Sequence, residues 1–155
     1  METTAAQARS ARDWVSDVLV DTRWLAKHLG DPALRVVEVD VSPARFREGH
    51  IPGATPWDIY GELKDADYRL VDRAAIRDVF ERSGIGPDST VVFYGYAPAL
   101  GFWLMKLFGH DDARVLDASR ETWHEEGRPW TVDVELPVRA TYALPEEDDR
   151  IRIEL

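Results

Sequence analysis

The chain has 155 residues, of which 45% are hydrophobic and 31% are charged, as expected for one globular domain with its own core. Its formal net charge of −10 argues against nucleic acid and anionic membranes as partners. The sequence contains no cysteine, which excludes disulfides and thiolate metal sites. No apolar run approaches the ~18 residues that a membrane-spanning helix needs, so we expect no membrane partner.

Three regions follow from the distribution of residue types. We predict a flexible N-terminal tail over residues 1–17, a folded domain over residues 18–135 and an acidic C-terminal tail over residues 136–155. The first residues lack the apolar core of a signal peptide, so we expect a cytoplasmic location. Residues 150–155 are predicted either to add an edge strand or to fray.

The first half of the folded region alternates helix and strand. Asp21 or Thr22 is a suitable N-cap for a helix that continues through Leu29. Residues 35–41 form a β-branched run that predicts a buried strand. A short turn or helix is expected over residues 43–48.

The second half continues this alternation, and each helix begins at a polar residue or a proline. We predict a helix from Asp72 to Gly84, a strand over residues 90–94, a helix from Pro98 to Phe108, a strand over residues 114–116, and a helix from Ser119 to Glu126. Short β/α connections of this kind predict an α/β fold, a parallel sheet with helices on both faces. Ligands of such sheets bind at the carboxyl ends of the strands.

Several runs in fixed order resemble the rhodanese (thiosulfate sulfurtransferase) family. The run EGHIPGA over residues 48–54 is similar to a signature that follows the second strand in that family. The other matching runs are VLVDTRWL at 18–25, VVEVD at 36–40, SGIGPDSTVVFY at 83–94, LFGH at 107–110, VLD at 115–117, and Trp123 with GRP at 127–129. The resemblance covers roughly residues 18–142 and implies a rhodanese-like parallel sheet.

The departures from the family pattern lie where its chemistry would be. The resemblance implies sulfur transfer through a cysteine persulfide, held by loop amides and an arginine, but Gly95 stands in the cysteine's place. No Lys or Arg occurs between Val91 and Met105, and Asp-Ala-Ser at 117–119 replaces the usual Asp-Gly-Gly. This pattern is similar to the non-catalytic N-terminal half of tandem rhodaneses, in which the second half supplies the cysteine.

A pseudo-active-site loop is therefore predicted at Gly95, Tyr96, Ala97, Pro98 and Ala99. A strand-to-helix turn offers free amides and the positive end of a helix dipole to an anion. Pro98 removes one of those donors, and the loop holds no Ser or Thr nucleophile. Two alternatives stay open: the loop binds a small ligand, or it only packs.

Asp40, His50 and Tyr96 are the acid/base candidates if the pocket serves another reaction. Glu38 and Asp40 alternate along one strand and share a face, which suits either an acid/base pair or a metal seat. The alternative is that Asp40 pairs with a nearby arginine, Arg45 or Arg47. The first interpretation of His50 is a structural hydrogen-bond partner that lies beside the turn at residues 51–53.

The histidines do not form a metal-binding pattern. His28, His50, His110 and His124 show neither H-x-x-H nor H-E-x-x-H spacing, so we predict no metal site and no cofactor. His110 is expected at the surface because it follows a helix end. His28 and His124 have charged neighbours and are expected to be solvated.

The helix over residues 98–105 is almost entirely apolar, and an all-apolar helix is expected to be covered on every side. A second copy of the chain, in a homodimer, or a separate protein partner is predicted to cover it. The leading functional hypothesis is a non-catalytic interaction or regulatory module, or the N-terminal half of a thiosulfate sulfurtransferase. The alternative is a repurposed enzyme that binds a small molecule at the former active-site loop.

Overall fold

The structure is a computed structural model that describes residues 18–143. The tail predicted over residues 1–17 and the end strand predicted over residues 150–155 lie outside the described residues, as do residues 144–155 of the predicted acidic tail. No helix within residues 18–143 has the length and apolar character needed to cross a bilayer.

Strands and helices alternate along the described chain, and the order includes two strands and a π-helical turn that were not predicted. In chain order they are β1 (Leu19–Val20), α1 (Thr22–His28), β2 (Leu34–Asp40), α2 (Ala44–Glu48), β3 (Thr55–Asp58), a π-helical turn (Ile59–Leu63), α3 (Arg73–Arg82), β4 (Thr90–Gly95), α4 (Pro98–Leu107), β5 (Ala113–Leu116) and α5 (Arg120–Glu125). The five strands form one parallel sheet in the order β1-β5-β4-β2-β3. The predicted α/β class and parallel sheet are confirmed.

Helices cover both faces of the sheet because the central strands are apolar on both sides. On one face, α3 and α4 contribute Ile76, Phe80 and Leu104 to a core built on Val37 and Phe93. On the other face, a second core joins β2 and β4 to α1, α2 and α5. Its buried residues include Leu25, Val36, Phe46, Tyr94 and Trp123.

Side-chain caps fix the starts of three helices. Asp21 accepts a hydrogen bond from the Trp24 amide, and Asp72 and Ser119 cap α3 and α5 in the same way. The predicted helix starts are thus confirmed. The strand β3 was not predicted, because Pro56 within it weakens the strand pattern; the structure places β3 at the edge of the sheet, where a proline is tolerated.

The chain after α5 runs back along the domain with no regular secondary structure beyond an isolated bridge between His50 and Thr131, and we call residues 131–142 the strap. At its start, Thr131 and His50 exchange backbone hydrogen bonds of 3.0 and 2.9 Å. At its end, the Ala140 amide donates to the Glu81 carbonyl, and the Tyr142 side chain is buried in the core. Residues 136–143 of the predicted tail therefore lie on the domain.

Candidate functional site

The carboxyl ends of β2, β3 and β4 meet at one edge of the sheet. In the strand register, Val39 lies opposite Gly95, and Asp40 lies opposite Asp58. The pseudo-active-site loop and the acidic end of β2 are therefore neighbours, as the fold predicts for a site in a parallel sheet.

Gly95 adopts a backbone conformation that a cysteine would not readily take. Its φ is +108°, a value that L side chains rarely adopt. A Cβ atom built on Gly95 would lie 2.8 Å from the Val39 carbonyl oxygen and 3.0 Å from Cγ of Glu38. The space that a nucleophilic side chain would occupy is filled by β2.

The amides that follow Gly95 point back to the sheet. The amides of Tyr96 and Ala97 both donate to the Val39 carbonyl, at 2.9 and 3.1 Å. Pro98 opens α4 and has no amide hydrogen to offer. Two of the donors that could hold an anion at this turn are therefore already bonded within the domain. The Tyr96 side chain is 68% exposed.

Behind the loop lies a buried polar cluster of Glu38, Tyr94 and Arg120. The guanidinium of Arg120 donates from Nε to Glu38 Oε1 at 2.7 Å, and both side chains are buried. Burial raises the pKa of Glu38, and the hydrogen bond and charge of Arg120 only partly offset that rise. Burial and the adjacent Glu38 carboxylate raise the pKa of Tyr94 well above its usual value.

Arg120 also contacts the segment around α2 and the chain that follows α5. Its Nη2 donates to the Arg45 carbonyl at 2.9 Å and to the Gly49 carbonyl. Its guanidinium lies 5.0 Å from the ring centroid of Trp130. The arginine therefore holds α2 and the turn after it against the sheet.

Asp40 is placed differently from the sequence prediction. Its Oδ1 accepts from the Val41 amide at 2.6 Å, and its buried Oδ2 has no hydrogen-bond partner among the described residues. The predicted pairing with Arg45 or Arg47 is wrong in the case of Arg45, which pairs with the exposed Glu121 instead. The sequence reasoning assigned an arginine to the wrong carboxylate: Glu38 is the buried partner, and its arginine is Arg120.

His50 is fully buried and bonded on both sides of its ring. Nδ1 lies 2.8 Å from the Phe46 carbonyl and Nε2 lies 2.8 Å from the Asp133 carbonyl. The ring also stacks on Phe46 with centroids 3.7 Å apart. Since both nitrogens are engaged by backbone carbonyls, His50 joins α2 to the strap, which is the structural role considered first.

His110 does not lie at the surface as predicted. Its ring is 2% exposed, with Nε2 donating to the Ser89 carbonyl and Nδ1 bonded to the Tyr142 hydroxyl, both at 2.7 Å. The prediction was wrong because the strap returns over the helix end and covers it. His124 is exposed as predicted, and His28 is partly buried with Nδ1 on the Trp24 carbonyl.

The three acid/base candidates therefore face different surroundings: Asp40 is buried, His50 is fully bonded and Tyr96 is exposed. Arg120 was not considered at all. It lies three residues before Trp123 on the same face of α5, which is a weak local sign of burial, but nothing near it in the sequence identified Glu38 as its partner. No group of three or more metal-ligating side chains occurs within the described range.

Comparison with known proteins places these features in a family. The rhodanese-like domain model matches residues 7–126. The sulfur carrier protein TtuD of Thermus thermophilus is 39% identical over 141 residues, which cover 88% of this chain and 50% of that protein. A putative thiosulfate sulfurtransferase, SseA, of Mycobacterium tuberculosis is 35% identical over 136 residues, covering 84% of this chain and 46% of that protein.

Solved structures share the same fold. One is the crystal structure of SseA from Escherichia coli, which is described as showing the rhodanese fold of 3-mercaptopyruvate sulfotransferases. It superposes with a TM-score of 0.69 at 21% sequence identity, and the match covers 83% of this chain and 54% of that chain. Tum1 of Saccharomyces cerevisiae gives 0.66 at 16% identity, over 86% and 51%. The chain spans about half the length of the curated relatives it matches. The sequence motifs, the parallel sheet and these matches agree, and the chain belongs to the rhodanese-like domain family.

Proposed function

We propose that this chain is a non-catalytic interaction or regulatory module of the rhodanese-like family, similar to the N-terminal half of a tandem thiosulfate sulfurtransferase. The observation that carries the proposal is Gly95, which occupies the cysteine's place with φ +108° and with β2 filling the side-chain space. Sulfane sulfur transfer needs a thiolate that attacks the donor and keeps the sulfur. This chain has no cysteine at any position.

The surroundings of Gly95 support the same reading. The amides of Tyr96 and Ala97 donate to Val39 rather than to a ligand, and the sequence from Val91 to Met105 holds no cation that would attract thiosulfate. The overall charge of −10 adds to the repulsion of such anions.

The names of the relatives describe sulfur carriage and sulfur transfer by proteins about twice as long as the matched region. For this chain we propose a supporting role, in which it binds a protein partner and does not itself carry sulfur. The predicted partner over the 98–105 helix remains part of this proposal: Leu100 and Phe102 of α4 are only partly buried. The cytoplasmic location stays a prediction.

The test is a sulfur-loading experiment on the purified chain. The protein is incubated with thiosulfate, desalted, and examined by intact mass and by cyanolysis for bound sulfane sulfur, beside a cysteine-containing sulfurtransferase. We expect no added sulfur and no thiocyanate above a heat-denatured sample. A stable sulfur adduct, or steady thiocyanate production, would contradict the proposal.

A repurposed enzyme is the second candidate, and one observation favours it. Asp40 Oδ2 is buried, close to the pseudo-active-site loop, and has no hydrogen-bond partner within residues 18–143. Buried carboxylate oxygens of this kind are typical of sites that act on a ligand. A thermal-shift screen of small polar molecules tests this candidate: a stabilising ligand whose effect is lost in Asp40→Asn and kept in Asp117→Asn would support it.

A further inference from the structure

His50 lies just after α2, fully buried, and both nitrogens of its ring face backbone carbonyls. Nδ1 is 2.8 Å from the Phe46 carbonyl oxygen, and Nε2 is 2.8 Å from the Asp133 carbonyl oxygen. A carbonyl oxygen only accepts hydrogen bonds, and a neutral imidazole carries a single N–H group. Two hydrogen bonds of this length therefore need a proton on each nitrogen, as in the imidazolium cation.

His110 is the histidine at the other end of the strap, and its partners suit the neutral ring. Nε2 donates to the Ser89 carbonyl, and Nδ1 can accept the hydroxyl proton of Tyr142, both at 2.7 Å. A hydroxyl group can donate or accept, whereas a carbonyl can only accept. The strap therefore ends on a histidine that needs no extra proton and begins on one that does.

The surroundings of the His50 ring favour a positive charge in two ways. The Phe46 carbonyl lies in the last turn of α2, at the negative end of the helix dipole. The ring also stacks on the Phe46 side chain with centroids 3.7 Å apart, and an aromatic face attracts a cation. The cation at this position is thus stabilised by dipoles and by an aromatic ring.

Other ionisable groups lie on the elements around this ring, and neither ring nitrogen is bonded to a carboxylate of the described chain. The exposed ones are Arg45, Arg47 and Glu48 of α2, Glu121 and His124 of α5, and Asp133 of the strap. The buried ones are Glu38 and Asp40 of β2, Tyr94 of β4 and Arg120 of α5. Water screens the exposed charges, and Arg120 is neutralised by its ion pair with Glu38. The protonated ring is therefore held by its two carbonyls.

We propose that His50 is a proton-dependent latch, whose imidazolium form fastens the start of the strap to α2. When the ring loses one proton, one nitrogen turns a lone pair towards a carbonyl oxygen, and these two acceptors repel each other. The Phe46 contact spans four residues of chain, whereas the Asp133 contact spans 83. The long-range contact is the one that gives way, so the latch is closed at low pH and opens as the pH rises.

Opening of the latch affects only the start of the strap. There, the remaining attachment is the pair of backbone hydrogen bonds between Thr131 and His50. The far end stays in place through the bond from the Ala140 amide to the Glu81 carbonyl and through the buried Tyr142. The latch is thus a regulatory device that goes beyond the proposed function, since it controls the strap and not the chemistry at Gly95.

The experiment follows the ring protons and the strap in the same samples. Long-range ¹H–¹⁵N correlation spectra of the ¹⁵N-labelled chain show which nitrogens of His50 carry protons. We expect two protonated nitrogens at mildly acidic pH and one as the pH rises. Hydrogen exchange at the Thr131 amide is measured as protection relative to an unstructured peptide at the same pH. That protection is expected to fall at least ~10-fold through the His50 transition, and protection at the Ala140 amide is expected to stay unchanged.

Two variants separate His50 from the other titrating groups. His50→Gln identifies the His50 signals and has no ring to titrate, so its protection at Thr131 is expected not to change with pH. The matched control is His124→Gln, which removes an exposed histidine and is expected to keep the pH dependence of the wild type. Circular dichroism checks that both variants fold, and the wild-type measurements alone decide if His50→Gln does not.

Three outcomes would overturn the inference. The first is a His50 ring with one proton at every pH at which the chain is folded. The second is protection at Thr131 that does not respond to the loss of the His50 proton, or that falls together with protection at Ala140. The third is a fall that persists in His50→Gln, because it would belong to another group such as Glu38. None of these bears on the sulfur-loading test, so the latch and the proposed function can fail separately.

Discussion

Arg120 and Glu38 form a buried ion pair that joins α5 to the centre of the sheet, with Nε of the arginine 2.7 Å from Oε1 of the glutamate. The two residues are 82 positions apart. Arg120 also binds two backbone carbonyls, those of Arg45 and Gly49. The pair therefore fixes the chain around the EGHIPGA turn as well as the helix.

Removal of the arginine alone is predicted to be costly. Arg120→Leu leaves the Glu38 carboxylate buried without a cation, which lowers the free energy of unfolding by about 3–5 kcal/mol. The double variant Glu38→Leu, Arg120→Leu removes the orphaned charge and is expected to regain part of that loss. Recovery is incomplete because the carbonyls of Arg45 and Gly49 lose their donor.

Urea unfolding at neutral pH measures these differences. Arg45→Ala is the matched control, because Arg45 belongs to the exposed pair with Glu121. Exposed pairs contribute about 0–1 kcal/mol, so this control is expected to change stability little. A loss in Arg120→Leu no larger than in Arg45→Ala would show that the buried pair is not structural.

The raised pKa of Glu38 predicts a pH dependence of stability with a definite sign. The folded state holds the Glu38 proton more tightly than the unfolded state, so stability falls as pH rises from the ordinary value of 4.5 through the raised folded pKa. Glu38→Gln does not titrate and lacks this fall. The stability advantage of the wild type over Glu38→Gln is therefore expected to shrink with rising pH.

Asp112 is a control because its contribution to stability changes with pH in the opposite direction to that of Glu38. Burial alone would raise its pKa, but the hydrogen bonds from Arg114 and Thr90 and the charge of Arg114 outweigh burial and lower it. Its contribution is present above the ordinary value of 3.8 and is lost as pH falls through the lowered folded pKa. Denaturant midpoints across acidic pH for Glu38→Gln and Asp112→Asn are expected to show opposite trends relative to the wild type.

The buried Tyr142 is predicted to anchor the end of the strap. Tyr142→Phe removes the hydroxyl that bonds His110 Nδ1 at 2.7 Å and leaves a buried ring nitrogen without a partner. We expect a loss of about 1–3 kcal/mol of stability and faster hydrogen exchange at the Ala140 amide. Tyr68→Phe changes an exposed side chain and is expected to stay within ~0.5 kcal/mol of the wild type.

The sequence predicted the fold well because the signals for helices and strands lie within the segments that they specify. Helix caps such as Asp72 and Ser119, and the β-branched run of β2, lie within a few residues of what they determine. The ion-pair partner of Glu38 could not be predicted from local signals. The nearest arginines in the sequence are Arg45 and Arg47, but the arginine that pairs with Glu38 in the structure is Arg120. The burial of His110 depends on the strap, which contacts it through Tyr142, 32 residues further along the chain, so no local pattern could predict it.

The backbone conformation of Gly95 also could not be predicted from the sequence. The absence of cysteine is plain in the sequence, but its consequence for the backbone is not. Only the structure shows that the next two amides both bond to Val39 and that β2 occupies the side-chain position. The absence of a thiol is thus accompanied by a loop whose first two amides are bonded to the sheet.

The geometry of this loop predicts that a thiol added at position 95 does not make the chain an efficient sulfurtransferase. In Gly95→Cys, the side chain meets the Val39 carbonyl at 2.8 Å and the backbone must leave φ +108°. We expect sulfur loading from thiosulfate far below that of an active sulfurtransferase, together with a loss of stability.

Gly127→Ala is the matched control, since Gly127 has φ +72° with nothing within 4 Å of an added Cβ. It isolates the backbone cost, about 1–2 kcal/mol, from the clash. Gly95→Ala is therefore expected to lose more stability than Gly127→Ala in urea unfolding. Equal losses, or efficient sulfur loading of Gly95→Cys, would mean that the loop opens readily and that only the cysteine is missing.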